Sequence, residues 1–458
     1  MNRIGLTKNL WLDEYIPKEL YLKFEKKPHI LIGLIDRRLV MADQLLRDKF
    51  GSVTINNWWN GGNRNWSGIR TPDSPVYSQT SQHCFDKKTK ILTNKGWFSI
   101  DDEIDDSVKV VTLNPENSKI ELKDVFSKSY FKFKGDLFGI KTKHIDSLTT
   151  PNHRNYCTIN NKKHKYKFES SENIYSRRRF FKRSGISTLI EEKLTDLEYL
   201  AIATVCDGSI GRNSITFHLS KKRKINKLKE KFDSSGYSYK IYKDINKDNT
   251  YYFTTKSDFK NDIVDLIGKN KSLNFCYNIT NKAKDIINTY TFYDGHTPTR
   301  EGDKYSVISS INEDNINILS YLCVLAGMSQ TIATYPLKDF YGQTDIETSI
   351  FNLYITNYSS TRVNKDRYYK RSYDGYVWCL NNENTTLFVQ RNGKVFISGN
   401  SWGRASDKIF TNATAHEVRE YIKGMYEELG ITCIEENVTW VHSDVRWTRS
   451  NELLIVYP

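Results

Sequence analysis

The sequence predicts a multidomain chain: a small α+β domain cut in two by a long, unlike insert, with an α+β unit of two pseudo-repeats inside that insert. Three observations carry this. The first is charge. Of 68 Lys+Arg and 54 Asp+Glu, residues 1–83 hold 12 and 8, residues 401–458 hold 6 and 9, and residues 84–400 hold 50 and 37, so the excess positive charge sits in the middle. The second is tryptophan. Trp11, Trp58, Trp59, Trp66, Trp402, Trp440 and Trp447 lie in the flanks, and only Trp97 and Trp378 lie between them. The third is a succession of apolar helix, strand, helix and strands that occurs twice within the insert.

The flanks read as one α+β body. Ile35, Leu39, Ala42 and Leu46 mark an amphipathic helix stopped by Gly51. Val418, Ile422, Met425 and Leu429 mark a second, which Thr414 and Glu417 open with a capping box and Gly430 closes. Strands are expected over 431–434 and 439–445. No apolar run approaches the ~18 residues of a transmembrane helix, and the start lacks the apolar stretch of a secretory signal. Seven cysteines without a CxxC pair read as reduced thiols. A cytoplasmic monomer with no membrane partner is expected.

The edges of the insert carry chemistry. It opens with Cys84 and closes with Asn400, followed at once by Ser401. A Cys can attack the carbonyl before it to give a thioester, a Ser can accept that acyl group, and an Asn can cyclise onto its own carbonyl and cut the chain.

Four ordered segments give these residues a context. Cys84-Phe85-Asp86-Lys87-Lys88-Thr89-Lys90-Ile91-Leu92-Thr93 with Gly96-Trp97-Phe98 resembles the amino-terminal block of an intein, and Thr149-Thr150-Pro151-Asn152-His153 resembles its TxxH block. Val377-Trp378-Cys379-Leu380 and Val395-Phe396-Ile397-Ser398-Gly399-Asn400-Ser401 resemble the two carboxy-terminal blocks. The resemblance implies an all-β Hint splicing domain from 84–190 and 361–400. It also implies roles: Cys84 as first nucleophile, His153 as proton donor to the leaving nitrogen with Thr150 polarising the bond, Ser401 as acceptor, and Asn400 as the cyclising residue. Splicing would need no cofactor. The sequence departs from the family at Gly399, where a His is usual, at Cys379, where an Asp is frequent, and at Thr386, where a His is frequent. Asn cyclisation is therefore expected to be slow or assisted by another group.

Within 191–360 the repeated pattern is specific. Leu200-Ala201-Ile202-Ala203-Thr204-Val205-Cys206-Asp207-Gly208 is an apolar helical stretch ending in Asp-Gly, followed by a strand near 214–218, a basic helix over 221–232, and strands near 237–242 and 251–255. The stretch from Ile286 to Tyr293 runs into Asp294-Gly295, then a strand near 305–309, a helix over 315–325, and strands near 331–335 and 351–356. This resembles the LAGLIDADG homing endonucleases. The resemblance implies that Asp207 and Asp294 share Mg²⁺, and that the strands form a saddle on double-stranded DNA, a partner the basic balance suits.

Joining the flanks completes a further pattern. Ser81-Gln82-His83 followed by Ser401-Trp402-Gly403-Arg404-Ala405-Ser406-Asp407 reads SxHxxGxAxD, with His442 downstream. This resembles zinc D-alanyl-D-alanine carboxypeptidases and the Hedgehog amino-domain type. The resemblance implies a zinc peptidase over 1–83 and 401–458, with His83, Asp407 and His442 as Zn²⁺ ligands and a fourth position for water. It further implies Glu436 as general base with Asp444 as runner-up, Arg70 on a substrate carboxylate, and peptidoglycan peptides as substrate in a phage or bacterial setting. In the uncut chain this site is expected to be unformed or distorted. The other reading is a DNA-binding or structural protein whose Hint-like segment only cleaves or is inert.

Overall fold

Residues 3–69 and 405–457 share one core in the computed structural model, which describes 3–26, 28–69, 84–125, 127–161, 164–297, 305–336, 348–400, 405–445 and 452–457. Tyr15, Leu39, Leu46 and Ile55 pack with Phe410, Val418, Ile422 and Val445. A sheet spans both flanks: Val53–Thr54 pairs with Ala405–Phe410, which pairs with Val441–Asp444, then Cys433–Glu435 and Leu454–Val456. Helices Arg37–Phe50 and Ala415–Leu429 pack against it and each other. Asp36 caps the first by accepting from the Arg38 N–H at 3.0 Å, and Thr414 and Glu417 form the capping box of the second. The strands expected over 431–434 and 439–445 are shorter and shifted, because Thr439 and Trp440 lie in a bend before the ladder begins.

The insert is rich in β-structure. Phe85–Asp86, Tyr368–Asn381, Ser127–Lys141 and Asp146–Thr149 close a barrel, in which the two long strands pair from Tyr368 opposite Ile140 to Asn381 opposite Ser127. Cys84, Phe85, Val110, Leu148, Trp378 and Phe396 fill its core. Arg391 is buried between Asp86 (3.0 Å) and Asp146, tying three segments by charge. The hairpin Thr386–Arg391 to Lys394–Gly399 turns at Asn392-Gly393, both with positive φ, the conformation that a two-residue hairpin demands. Strand Ser360–Val363 pairs with Arg179–Lys182, so residue 360 belongs with these sheets.

Between them lies a duplicated unit. Helices Asp196–Asp207 and Ala283–Asp294 pack side by side, and each leads into a sheet of the same order. In the first half Gly208–Ile210 pairs with Ile215–Leu219, then Tyr251–Thr255, then Tyr239–Lys243. In the second, Gly295–His296 pairs with Tyr305–Ser310, then Ser349–Thr356, then Ser329–Pro336. Helices Lys222–Ser235 and Glu313–Leu325 occupy equivalent places. Among the described residues the first half alone adds a helix after its sheet, Ser257–Ile267. The second sheet runs on into the hairpin Thr386–Gly399, where Thr331 pairs with Lys394. No helix among the described residues is long and apolar enough to cross a membrane.

Candidate functional site

The two ends of the insert meet in one buried site. Cys84 precedes the barrel strand Phe85–Asp86, Asn400 follows the strand Lys394–Gly399 of the neighbouring sheet, and both are fully buried. The Cys84 amide donates to Thr150 Oγ1 at 3.1 Å, and the Thr150 amide donates to the Cys84 carbonyl at 3.0 Å. The His153 amide closes a tight turn onto Thr150 O at 3.0 Å, which aims the imidazole inward against Phe85. Its Nε2 lies 2.8 Å from Ser398 Oγ. Arg154, the next residue, donates from Nη1 to the Asn400 carbonyl at 3.1 Å. The Asn400 amide donates to Thr385 O at 3.0 Å, and its Nδ2 to Asn382 O at 3.5 Å.

Burial pushes the Cys84 thiol well up, and Cys379 beside it adds to the shift. Burial thus holds the Cys84 sulfur as the neutral thiol. Cys379 therefore lies at the centre. Thr386 does not: its hydroxyl accepts from Leu113 N at 2.9 Å, and it faces Gly399 in the hairpin register. Sequence reasoning passed over Ser398 and Arg154. The two-residue strand period, which puts 398 and 400 on one face, was the available signal for the first. Adjacency to the TxxH histidine was the only signal for the second.

Asp207 and Asp294 end their helices alike and converge. In each, a threonine three residues earlier bonds back one turn, Thr204 to Leu200 O and Thr291 to Ile287 O, both at 2.7 Å. A Cβ at Gly208 would lie 2.8 Å from Thr204 Cα, and one at Gly295 2.5 Å from Thr291 O, so both turns exclude a side chain. Lys224, on the helix after the first hairpin, spans the pair: its Nζ is 2.6 Å from Asp207 and 3.9 Å from Asp294. Burial raises the Asp294 carboxyl, and Asp207 pushes it the same way. Half-buried Cys206 and Lys271 face the same cluster. Two carboxylates held together against their own repulsion, half open to solvent, form a donor set that suits a divalent cation. Strand Tyr239–Lys243 exposes Lys240, Tyr242 and Lys243 on the adjoining sheet.

In the flank domain, Asp407 and His442 face each other across a strand pair, with His442 Nδ1 2.7 Å from Asp407 Oδ1. Glu435 completes the group: ligand atoms of Asp407, Glu435 and His442 all lie within 4.8 Å of one another, an oxygen and nitrogen set that fits Zn²⁺. Glu436 is not there. It points to the opposite side, paired with Lys423 at 2.6 Å and Arg419 at 3.3 Å, and Lys423 holds its carboxyl below the ordinary value. Glu436 lies just past the strand Cys433–Glu435 and turns away from His442, whereas its neighbour Glu435 lies 3.8 Å from His442 Nδ1. Asp444, two residues beyond His442 on the same strand, is buried. Arg70, His83 and Ser401 lie outside the described residues. Asp407 and His442 are paired in the uncut chain.

No family model matches this sequence, and no curated protein matches it. Among solved structures, I-DmoI in complex with DNA and Mn is 12% identical, with a TM-score of 0.26, covering 35% of this chain and 89% of that one. The N-terminal LAGLIDADG domain of DUF199/WhiA is also 12% identical, with a TM-score of 0.24, covering 36% and 78%.

Proposed function

We propose that this chain is a self-splicing precursor: residues 84–400 excise themselves and carry a site-specific DNA endonuclease, and the joined flanks form a zinc peptidase. The observation that carries the reading is that Cys84 and Asn400, the two ends of the insert, share one buried site with Thr150 and His153.

The Cys84 sulfur attacks the His83 carbonyl carbon, and the bond from that carbon to the Cys84 nitrogen breaks. Thr150 already holds that N–H; His153 supplies the proton the nitrogen gains and takes back the proton the thiol gives up, so the step balances. The Ser401 hydroxyl attacks the thioester and releases the thiol. Asn400 Nδ2 then closes on its own carbonyl carbon and expels the Ser401 amine, after which the ester between the flanks rearranges to an amide. Every step is intramolecular, so proximity supplies much of the rate.

In the duplicated unit, Asp207 and Asp294 are the residues that would hold Mg²⁺, which when bound supplies a Lewis acid for phosphodiester hydrolysis. Lys224 places a positive charge between the carboxylates, and the exposed basic strand residues track phosphates. In the flanks, His83, Asp407 and His442 would hold Zn²⁺, with Glu435 placed as base, Arg70 on a substrate carboxylate, and peptidoglycan peptides as substrate.

Intact mass of the purified product tests the splicing reading. A ligated species joined at His83–Ser401, beside a free 84–400 fragment, is the expected result. A persistent full-length wild-type chain overturns it.

A further inference from the structure

We infer that Arg154 activates Asn400 for cyclisation, taking the place of a side chain at residue 399; the assignment rests on the splicing reading above. Arg154 is buried to 3% exposure, and its Nη1 donates to the Asn400 carbonyl at 3.1 Å. That oxygen belongs to the bond to be cut. When Asn400 Nδ2 attacks the carbonyl carbon, the oxygen becomes an oxyanion, and a fixed cation already stands against it. The guanidinium is locked in place by the face of Phe168, 4.0 Å away.

Gly399 belongs to the same arrangement. A Cβ there would lie 2.6 Å from Arg154 O, 2.9 Å from Arg154 Cβ and 3.0 Å from the Phe168 ring. The room a residue-399 imidazole would need is therefore taken by Arg154 and the ring that holds it. The step balances without an added reagent. The bond from Nδ2 to the carbonyl carbon forms, the bond to the Ser401 nitrogen breaks, and one Nδ2 proton passes to the departing amine. An arginine keeps its protons at any physiological pH, so Arg154 serves as charge and not as acid.

The experiment uses the full chain with Arg154→Met, Arg154→Lys and Arg154→His, read by intact mass with and without added thiol. Thiol-induced release of residues 1–83 reports the Cys84 centre separately from excision at Asn400. In Arg154→Met, thiol release stays near the wild-type rate, excision slows by roughly 10²- to 10³-fold, and the branched ester accumulates. Arg154→Lys excises at an intermediate rate. Arg154→His excises only at low pH and fails as pH rises through about 6.5, while the wild type shows no such fall. Wild-type excision by Arg154→Met overturns the assignment alone. So does full excision by Arg154→Lys where Arg154→Met has lost thiol release as well, since the arginine would then be structural. A wild-type chain that forms no thioester and cuts at neither end overturns the splicing reading and the assignment together.

Discussion

The junction centre and the paired-aspartate centre follow opposite electrostatic plans. Cys84, Thr150, His153, Arg154, Ser398 and Asn400 are each 3% exposed or less, and the thiol is kept neutral by burial. Asp207 and Asp294 leave 20% and 31% of their side chains exposed and hold like charges together around one lysine. On the proposed reading, the difference follows from where each substrate comes from. A reaction within one chain needs no entry path, so its groups can be sealed from water. A reaction on DNA needs open carboxylates that can exchange a cation and meet a phosphate, and the folded protein carries their repulsion until it does.

The largest effects should separate the two centres completely. Cys84→Ala should abolish thioester and ligated product in intact-mass assays, a loss of about 10⁴-fold or more, while leaving DNA cleavage intact. Asp207→Asn should lower cleavage of a plasmid bearing the uninterrupted flank-coding sequence by roughly 10³-fold, with splicing unchanged. A crossed effect, with either variant damaging the other reaction, would break the comparison.

A smaller effect is expected at Ser398. Its hydroxyl lies 2.8 Å from the His153 imidazole, so Ser398→Ala should slow thiol-induced release of residues 1–83 about 10-fold, by leaving His153 less well oriented. No change in that rate would remove Ser398 from the positioning role.

The smallest effect concerns stability and runs against function. Asp294 has a raised carboxyl pKa, so the native state binds its proton more tightly than the unfolded chain does. Its contribution to stability is then lost as pH rises from the unfolded value through the folded one. Asp294→Asn should raise Tm in metal-free buffer at pH 7 by about 2 °C, a modest gain because solvent screens the half-open pair. The gain should vanish below roughly pH 4, where the carboxyl is protonated in both states. Thermal melts at the two pH values check this, and an unchanged or lowered Tm at pH 7 would mean Lys224 already offsets the repulsion.

Much of the architecture was legible in the chain itself because it rests on local rules. The helices at 35–46 and 418–429 follow from apolar spacing, a capping residue and a closing glycine, and they form with Gly51 and Gly430 at their ends. The twofold Asp-Gly helix ends follow from the same grammar repeated, down to the threonine three residues before each aspartate. The site was legible only where a residue type was unusual for its place, as at Cys84, His153 and Asn400. Ser398 and Arg154 are ordinary strand residues, and nothing local distinguishes them from their neighbours.

By itself the sequence determined the order of the segments, the ends of the insert, the helix boundaries and the identity of the paired aspartates, because caps, periodicity and junction chemistry all act over a few residues. Tertiary structure alone decided that Arg154 reaches Asn400, that Lys224 spans two helix ends, that Thr331 joins the second repeat's sheet to Lys394, and that Glu435 faces His442 while Glu436 turns away. These depend on strand register between segments far apart in the chain. A shift of one residue inverts every side chain, and no local preference chooses between the two settings.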